Sequence, residues 1–543
     1  MNAPIPVAEP GKKSGGALWL LFVFAFLVSL VAISDQSLWI DEALTACKAR
    51  QPTFAGWWHA IVTEKASDLQ MPLYMIFMWV YEKAFGSSEW VLRTANLPWF
   101  AVGMLAFVTA FSSARQRAFA ALVTAGSPFV WYYLNEARPY AMQLGAALLI
   151  FAALYRLSRV PNSQLQHCER SRGGQGEEAE SLGNASTVSL RRLLFPRISS
   201  SADSDAPLWV WGFFLGIIVL CGSSMLGMIW AAAALTVTVV VFPRTRLAEM
   251  VRLHRLMCLA AGGFLLLLGG YYLWTLKVGA RASGAATTDW KNLPFIGYEV
   301  LGFSGLGPGR LVIRESGLDV FQRHWIELAL YAVTVLALLG AAVRQLFQAR
   351  DRKELLSLVL VIVAPAVVLM TAGWVLHFRV LGRHFTPLMP VVLFVLSTGL
   401  AALWSHRGFL RKLVVCGFFL LSLFSCLSLR FAARHEKDNY RDAAIFARTA
   451  LQSGKQVWWN ADNQAATYYE VPTSNQPAEN GKAWRVINPS RELLWFAPKP
   501  EVIITSKPDL FDSQRALSDY IALTRFDKVA TLPAFTIWQR SAK

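Results

Sequence analysis

"SLWIDEALTACKAR" (Ser37–Arg50) follows directly on an unbroken apolar run from Leu18 to Ser34. The run has the length and composition of a membrane helix. Two adjacent carboxylates, Asp41 and Glu42, framed by Trp39 and Ile40, therefore stand where that helix has just ended. One reading is a helix cap: Asp41 accepts backbone N–H bonds at the start of "EALTACKAR", and Glu42 favours the positive end of the helix dipole. The other is a carboxylate at the bilayer edge that serves as a general base. The two are compatible, because a cap also fixes orientation.

The bulk composition agrees with a membrane protein. Of 543 residues, 55% are hydrophobic and 16% charged, and the mean hydropathy is +0.39; a soluble chain carries about 25% charged residues. The formal net charge of +17 does not point to nucleic acid. The Lys and Arg gather in loops between apolar segments, as the positive-inside bias requires, and no recognition motif accompanies them. Six cysteines are scattered, with Cys221, Cys258, Cys416 and Cys426 inside apolar segments and no CxxC pair. Neither a disulfide framework nor a zinc site is implied. Twenty-one Trp suit two long water–lipid interfaces.

Residues 1–15, with Lys12 and Lys13, form a cytoplasmic N-terminus. Span one covers 16–34 and reads as an uncleaved anchor, although Ala32-Ile33-Ser34 faintly resembles a signal-peptidase site. Segment 72–86 is about 22 Å long as a helix, short of the roughly 30 Å hydrocarbon core. We read it as an interfacial amphipathic helix, with a second at Pro52–Glu64 carrying Trp57 and Trp58. Both lie in a first outer loop, 35–90. Further spans are expected near 91–113, 118–134, 140–157, 207–222, 224–242, 257–276, 324–343, 355–377, 385–403 and 413–430, about eleven with the first. The turns that fall inside then each carry Arg or Lys, from Arg115 and Arg117 to Arg407, Arg411 and Lys412. Segment 158–206 reads as a disordered cytoplasmic insert, and the sequon at Asn184 faces the wrong side for glycosylation. A long outer loop covers 277–323. Residues 431–543 read as a small periplasmic α/β domain: "QVWWNA" and "EVIITS" as strands, "DSQRALSDYIAL" as a helix, a terminal strand pair from Phe526, and a first helix opening at Asn439.

The chemistry collects on the outer face. Beside Asp41 and Glu42, "YYLNEARPYAMQL" (Tyr132–Leu144) sets Glu136 and Arg138 at the hydrocarbon boundary, a costly place without a partner. The long loop carries Arg310 and Arg314 after a glycine-rich "GFSGLGPGR" (Gly302–Arg310), which reads either as a phosphate cradle or as a plain flexible loop. "HFRVLGRHFTPLMP" (His377–Pro390) adds Arg383 and His384. Two acids and several outward arginines suit a reaction between a lipid-borne phosphate and a hydroxyl nucleophile: the acid takes the hydroxyl proton and the cations stabilise the leaving phosphate. No P-loop, HExxH, GxSxG or metal-ligand spacing is present. No motif fixes a cofactor; Asp41, Glu42 and Glu136 could hold a divalent cation, though no His-rich set accompanies them.

The motifs "LWIDEALT", "MPLYMIFMWVYEKAFGSSEWVLRTANLPW", "SPFVWYYLNEARPYAMQL" and "GRHFTPLMPVVLF", in this order and spacing, resemble the polyprenyl-phosphate-sugar-dependent integral-membrane glycosyltransferases of the GT-C fold, in their protein O-mannosyltransferase-like and aminoarabinose-transferase-like branch. The resemblance is good over 35–145 and loose over 16–430. It implies that Asp41 acts as, or positions, the catalytic base, that Glu136 or Arg138 supplies a second polar group, and that Arg383 with His384 lies near the carrier phosphate. The 72–86 helix would stand beside the donor cavity. It implies a sugar donor on undecaprenyl or a related polyprenyl phosphate, an inverting attack, and a periplasmic glycan, lipid or protein as acceptor, in a bacterial inner membrane. Where many relatives have a His- or Lys-Pro-Pro-Leu stretch, this chain has Gln70-Met71-Pro72-Leu73, so Gln70 replaces a phosphate-binding cation and Arg310 or Arg314 would substitute. Where many have Thr-His-Tyr, this chain reads "CGSSMLG" with Ser223 and Ser224. Competing classes are a polymerase or ligase using a polyprenyl-diphosphate-linked glycan, a transporter or flippase, and a non-catalytic assembly subunit.

Overall fold

The computed structural model describes residues 15–64, 67–159, 206–278, 288–348, 352–477 and 479–541. The expected insert at 158–206 lies almost wholly outside them. Helices stand at every one of the expected spans. In chain order they begin with α1 (Gly15–Ala32), α2 (Ile40–Ala49), α3 (Phe54–Glu64), α4 (Pro72–Phe85), α5 (Glu89–Thr94), α6 (Leu97–Ala110), α7 (Ala114–Ala125), α8 (Pro128–Leu134) and α9 (Tyr140–Ser158). Long helices Ala206–Ser223, Gly227–Val241, Arg255–Val278, Trp325–Gln348, Arg352–Val375, Met389–Ser405 and Phe409–Phe431 follow. Among the described residues six helices are long and apolar enough to cross a membrane, and up to seven if the pair Gly227–Val241 and Arg244–Leu253, bent by 119°, is one span. That pair turns at Pro243, and its second arm begins with Arg244 and Arg246; a basic arm suits a surface more than a core. Leu266, Leu267 and Leu336, more than 60% exposed, stand on the long helices. Such apolar surface needs lipid around it, and the chain is a multi-pass membrane protein.

The bundle closes by small-residue contact. A Cβ on Gly103 would come within 2.6 Å of Gly145 Cα, and one on Gly145 within 2.3 Å of Trp99 O. α6 and α9 therefore touch backbone to backbone, as membrane helices do where side chains are absent. The Ala206–Ser223 helix covers the other side of α9, and Met389–Ser405 packs between α7 and Trp325–Gln348.

At one end of the bundle sits a six-stranded sheet in the order β2-β3-β1-β4-β6-β5, with β1 (Val457–Asn460), β2 (Thr473–Ser474), β3 (Ala483–Arg485), β4 (Val502–Ser506), β5 (Phe526–Leu532) and β6 (Phe535–Arg540). β1 pairs in parallel with β3 and β4; β6 runs antiparallel to β4 and β5. Strand alternation sends Trp459 and Ile504 into the core that continues into the bundle, joined there by Ala443, Ala444 and Ala447 of the Tyr440–Gln452 helix. It sends Trp458 and Ile503 into a second core with Trp484, Leu517 and Tyr520. The two long strands, the terminal hairpin, the Ala516–Leu523 helix and the helix capped by Asn439 were all legible. The two- and three-residue strands β2 and β3 carry too little pattern to be read.

Candidate active site

α2 sets both acids. Its N-cap is Trp39, so Asp41 is not the cap but lies one residue inside the helix. The capping contact falls to Glu42, whose Oε2 accepts the Trp39 N–H at 3.4 Å. Asp41 is left partly exposed, and its Oδ2 accepts from Arg383 Nη1 at 3.2 Å. The Arg383 guanidinium also stands 5.9 Å from the Trp39 ring centroid. Residues from the first loop and from the turn before Met389–Ser405 thus meet at one point.

Glu42, one residue on, faces the opposite way. It is fully buried and doubly bridged to Arg93, Nε to Oε1 at 2.9 Å and Nη2 to Oε2 at 2.8 Å. It also accepts from Ala137 N–H at 2.7 Å and Lys437 Nζ at 3.1 Å. Burial pushes this carboxyl up, but Arg93, Lys437 and the hydrogen bonds outweigh it and hold it at about 2. Arg93 spends its remaining donors on the carbonyls of Ser34, Gln36 and Ser37. This knot fixes the loop after α1. Every Glu42 oxygen is engaged, so the geometry gives it a positioning place and leaves nothing to offer a substrate.

Arg138 is likewise a positioning group. Its Nη1 donates to Asp41 O at 3.1 Å, Thr45 Oγ1 at 2.8 Å and Asp68 Oδ1 at 2.8 Å. Asp68 also takes Lys48 Nζ at 2.5 Å, and Lys48 reaches Glu64 at 2.9 Å. Burial raises the Asp68 carboxyl; Lys48 and Arg138 lower it further, leaving it below its ordinary value. Sequence reasoning missed Asp68, Lys48 and Arg93. Asp68 sits beside Glu64 and Lys65, and Lys48 beside Arg50, so no local pattern sets them apart.

Glu136 is different. It is 1% exposed, and neither carboxyl oxygen makes a hydrogen bond among the described residues, although Tyr132 stands close enough to interact. Burial raises this carboxyl above its ordinary value, against the pull of Lys437, Arg310 and Arg383. A buried acid without donors, ringed by cations, is costly unless something else fills the site.

The remaining predicted residues separate. Arg310 bridges buried Glu299 and donates to Tyr133 Oη at 3.0 Å, its guanidinium 4.0 Å above the Tyr132 ring; Glu299 in turn accepts from Gly382 N–H at 3.0 Å. Glu299 so ties Arg310 to the turn that carries Arg383. Arg314 is outside this group: its Nε lies 2.9 Å and 3.0 Å from the carboxylate oxygens of Asp509, in the short Pro508–Phe511 helix after β4. His384 Nδ1 accepts from Leu381 N–H at 3.1 Å, which turns the ring to its own backbone. Gln70 O accepts from Met225 N–H at 2.9 Å, which joins the α4 entry to the Ser223–Ser224 turn. The glycine-rich loop is packed rather than free: a Cβ on Gly305 would stand 2.1 Å from Ser425 O, and on Gly309 1.6 Å from Arg434 O. Its glycines allow backbone contact with the last long helix and with the turn that follows it. Among the described residues no three His, Cys, Asp or Glu converge as metal ligands.

The C-terminal part completes the site. Tyr469 Oη accepts from Leu38 N–H at 2.8 Å and reaches Glu89 Oε1 at 3.2 Å. Arg441 donates to Glu89 at 2.9 Å, and Cys47 Sγ to Gln464 O at 3.1 Å. The sheet region therefore holds α2, which carries Asp41. Lys437, from the linker to it, donates to Asn135 O as well as Glu42; burial, then Arg93, push its ammonium down to about 8.

No protein-family description and no curated protein matches the chain. Solved structures do. ArnT from Cupriavidus metallidurans in the apo state is 12% identical, with a TM-score of 0.50, over 97% of this chain and 98% of that one. The same protein bound to undecaprenyl phosphate gives 13% and 0.49, over 98% and 99%. The arabinofuranosyltransferase AftD from Mycobacteria gives 13% and 0.38, over 99% of this chain but 40% of that one. At this identity the apo ArnT likeness speaks to architecture alone, and it speaks along nearly the whole of both chains: this protein has the GT-C fold of ArnT.

Proposed function

We propose that this chain is a membrane glycosyltransferase that moves a sugar from a polyprenyl-phosphate carrier to an acceptor on the outer face of a bacterial inner membrane. One observation carries the reading: a partly exposed carboxylate, Asp41, and a guanidinium, Arg383, meet at 3.2 Å at the loop end of a GT-C bundle. The carrier class follows from the motif resemblance, and the solved ArnT complex with undecaprenyl phosphate is of that class.

In the proposed reaction Asp41 takes the proton of an acceptor hydroxyl. The hydroxyl oxygen attacks the anomeric carbon, the bond from that carbon to the phosphate oxygen breaks, and the electron pair leaves with the polyprenyl phosphate. Attack from the face opposite the phosphate inverts the centre. Arg383, and Arg310 through its tie to Glu299, compensate the charge that grows on the phosphate. A phosphate competes with Asp41 for Arg383, so donor binding frees the carboxylate to act as base. Glu136, buried beside Tyr132 and within reach of Lys437, Arg310 and Arg383, accepts sugar hydroxyls.

Mass spectrometry of envelope lipids and glycans tests this. A strain without the chain is expected to lose one monosaccharide from one species, and the wild-type chain, but not Asp41→Asn, to restore it. Restoration by Asp41→Asn would overturn the assignment of the base. An unchanged envelope in the deletion strain would overturn glycosyl transfer.

A further inference from the structure

Tyr140 carries no sequence signal of its own, yet it stands inside the candidate site. It is the first residue of α9, set there by the N-cap Pro139, and it follows Glu136 by four residues and Arg138 by two. α9 packs against the Gly382–Leu388 turn that carries Arg383. The Tyr140 ring meets that of Tyr133 edge to face, with centroids 4.8 Å apart, and Tyr133 Oη is itself fixed by Arg310 at 3.0 Å. Packing therefore holds the ring, but nothing holds the hydroxyl. It makes no hydrogen bond among the described residues, and unlike the hydroxyls of Tyr74 and Tyr440 it is not sealed among protein atoms. The charges that act on it most strongly are those of Arg383, then Arg138, Glu136 and Asp41. On Arg383, Tyr140 acts ahead of Asp41. Arg383 spends Nη1 on Asp41; its Nε and Nη2 have no hydrogen bond among the described residues, and its side chain is 23% exposed.

A phenol O–H and the remaining guanidinium N–H groups thus lie together and unspent. A guanidinium cannot accept, and a phenol bonded to neither acid is free to donate. Donors gathered without an acceptor call for one, and the cation among them makes it an anion. A phosphate has lone pairs enough for both; a sugar hydroxyl has no charge for the guanidinium to meet. We propose that Tyr140 is a phosphate-binding residue of this site, its hydroxyl donating to the carrier phosphate that Arg383 holds. This role rests on the glycosyl-transfer reading above and adds a neutral donor to it. As the bond to the anomeric carbon breaks, the electron pair stays on the phosphate oxygen, and a hydrogen bond already aimed at that oxygen strengthens with its charge.

The test uses the full chain purified in detergent and titrated with undecaprenyl phosphate or with undecaprenol, which has the same tail and no phosphate, followed by native mass spectrometry and thermal melting. Wild type is expected to bind the phosphate at least about tenfold more tightly than the alcohol. Tyr140→Phe keeps the ring against Tyr133, and its lipid-free melting is expected to stay near wild type. It is expected to bind undecaprenyl phosphate about tenfold more weakly than wild type does, with undecaprenol binding unchanged. An undiminished preference in Tyr140→Phe would overturn the role of the hydroxyl and leave the carrier reading standing. An equal loss toward both lipids would make Tyr140 a packing residue and overturn the role as well. A wild-type chain that binds the two lipids alike would overturn the carrier reading, and the role of Tyr140 with it.

Discussion

Arg383 and Asp41 stand 342 residues apart in the chain and 3.2 Å apart in space. The pair joins the first loop to the turn before the Met389–Ser405 helix, and it is the only Asp41 side-chain hydrogen bond that the described residues supply. If Asp41 is the base, Asp41→Asn keeps the size and the hydrogen bond but cannot take a proton. Transfer is expected to fall by roughly 10²–10⁴, with melting temperature unchanged. Turnover within a few-fold of wild type would rule the role out.

Arg383→Gln asks a different question. It removes the charge opposite both Asp41 and the proposed leaving phosphate. A drop of about 10²–10³ in kcat is expected, with a smaller change in KM for the acceptor. A change in acceptor KM alone would place Arg383 on the acceptor side.

Glu42 separates structure from chemistry. Glu42→Gln leaves Arg93 and Lys437 buried with no compensating charge, and breaking such a pair costs about 3–5 kcal/mol. Melting temperature and membrane yield are expected to fall together with activity. A variant that melts like wild type yet binds substrate poorly would return Glu42 to substrate contact.

The pH profile follows from two acids with opposite shifts. The Glu42 carboxyl is held at about 2 in the fold against 4.5 when unfolded. Its contribution, of the order of 3 kcal/mol, is present above pH 4.5 and is lost as pH falls from there through 2. Glu136 is raised: its buried charge costs stability at neutral pH, and protonation on the acid side relieves that cost. Melting in detergent is expected to hold between pH 6 and 5 and to fall below 4.5. Glu42→Gln is expected to flatten the lower limb, and Glu136→Gln to raise the melting temperature at pH 7. A steep lower limb that survives in Glu42→Gln would contradict this.

Arg310 and Arg314, four residues apart, divide sharply. Arg314 and Asp509 are both substantially exposed, and such pairs contribute about 0–1 kcal/mol. Arg314→Ala is expected to leave transfer unchanged, whereas Arg310→Ala cuts it and lowers melting by freeing Glu299. Loss of transfer in Arg314→Ala alone would bring that residue back to the site.

The sequence by itself determined the elements. Apolar runs of spanning length, arginines at their ends and strand-like alternation after residue 456 are local signals, and each reports on a neighbourhood of ten to twenty residues. They also placed Asp41, Glu136 and Arg383 at helix ends. Only the tertiary structure decided which of these charges are spent. Asp41 and Glu42 are adjacent in sequence and equal in chemistry, yet one helical step of about 100° points the first to Arg383 and the second into a buried knot with Arg93 and Lys437. The glycines at 305 and 309 read as flexible or anion-binding because their reason, the backbone of Ser425 and Arg434, lies more than a hundred residues away. A charge's role depends on what else is within about 4 Å of it, and that is set by packing, which no local pattern records.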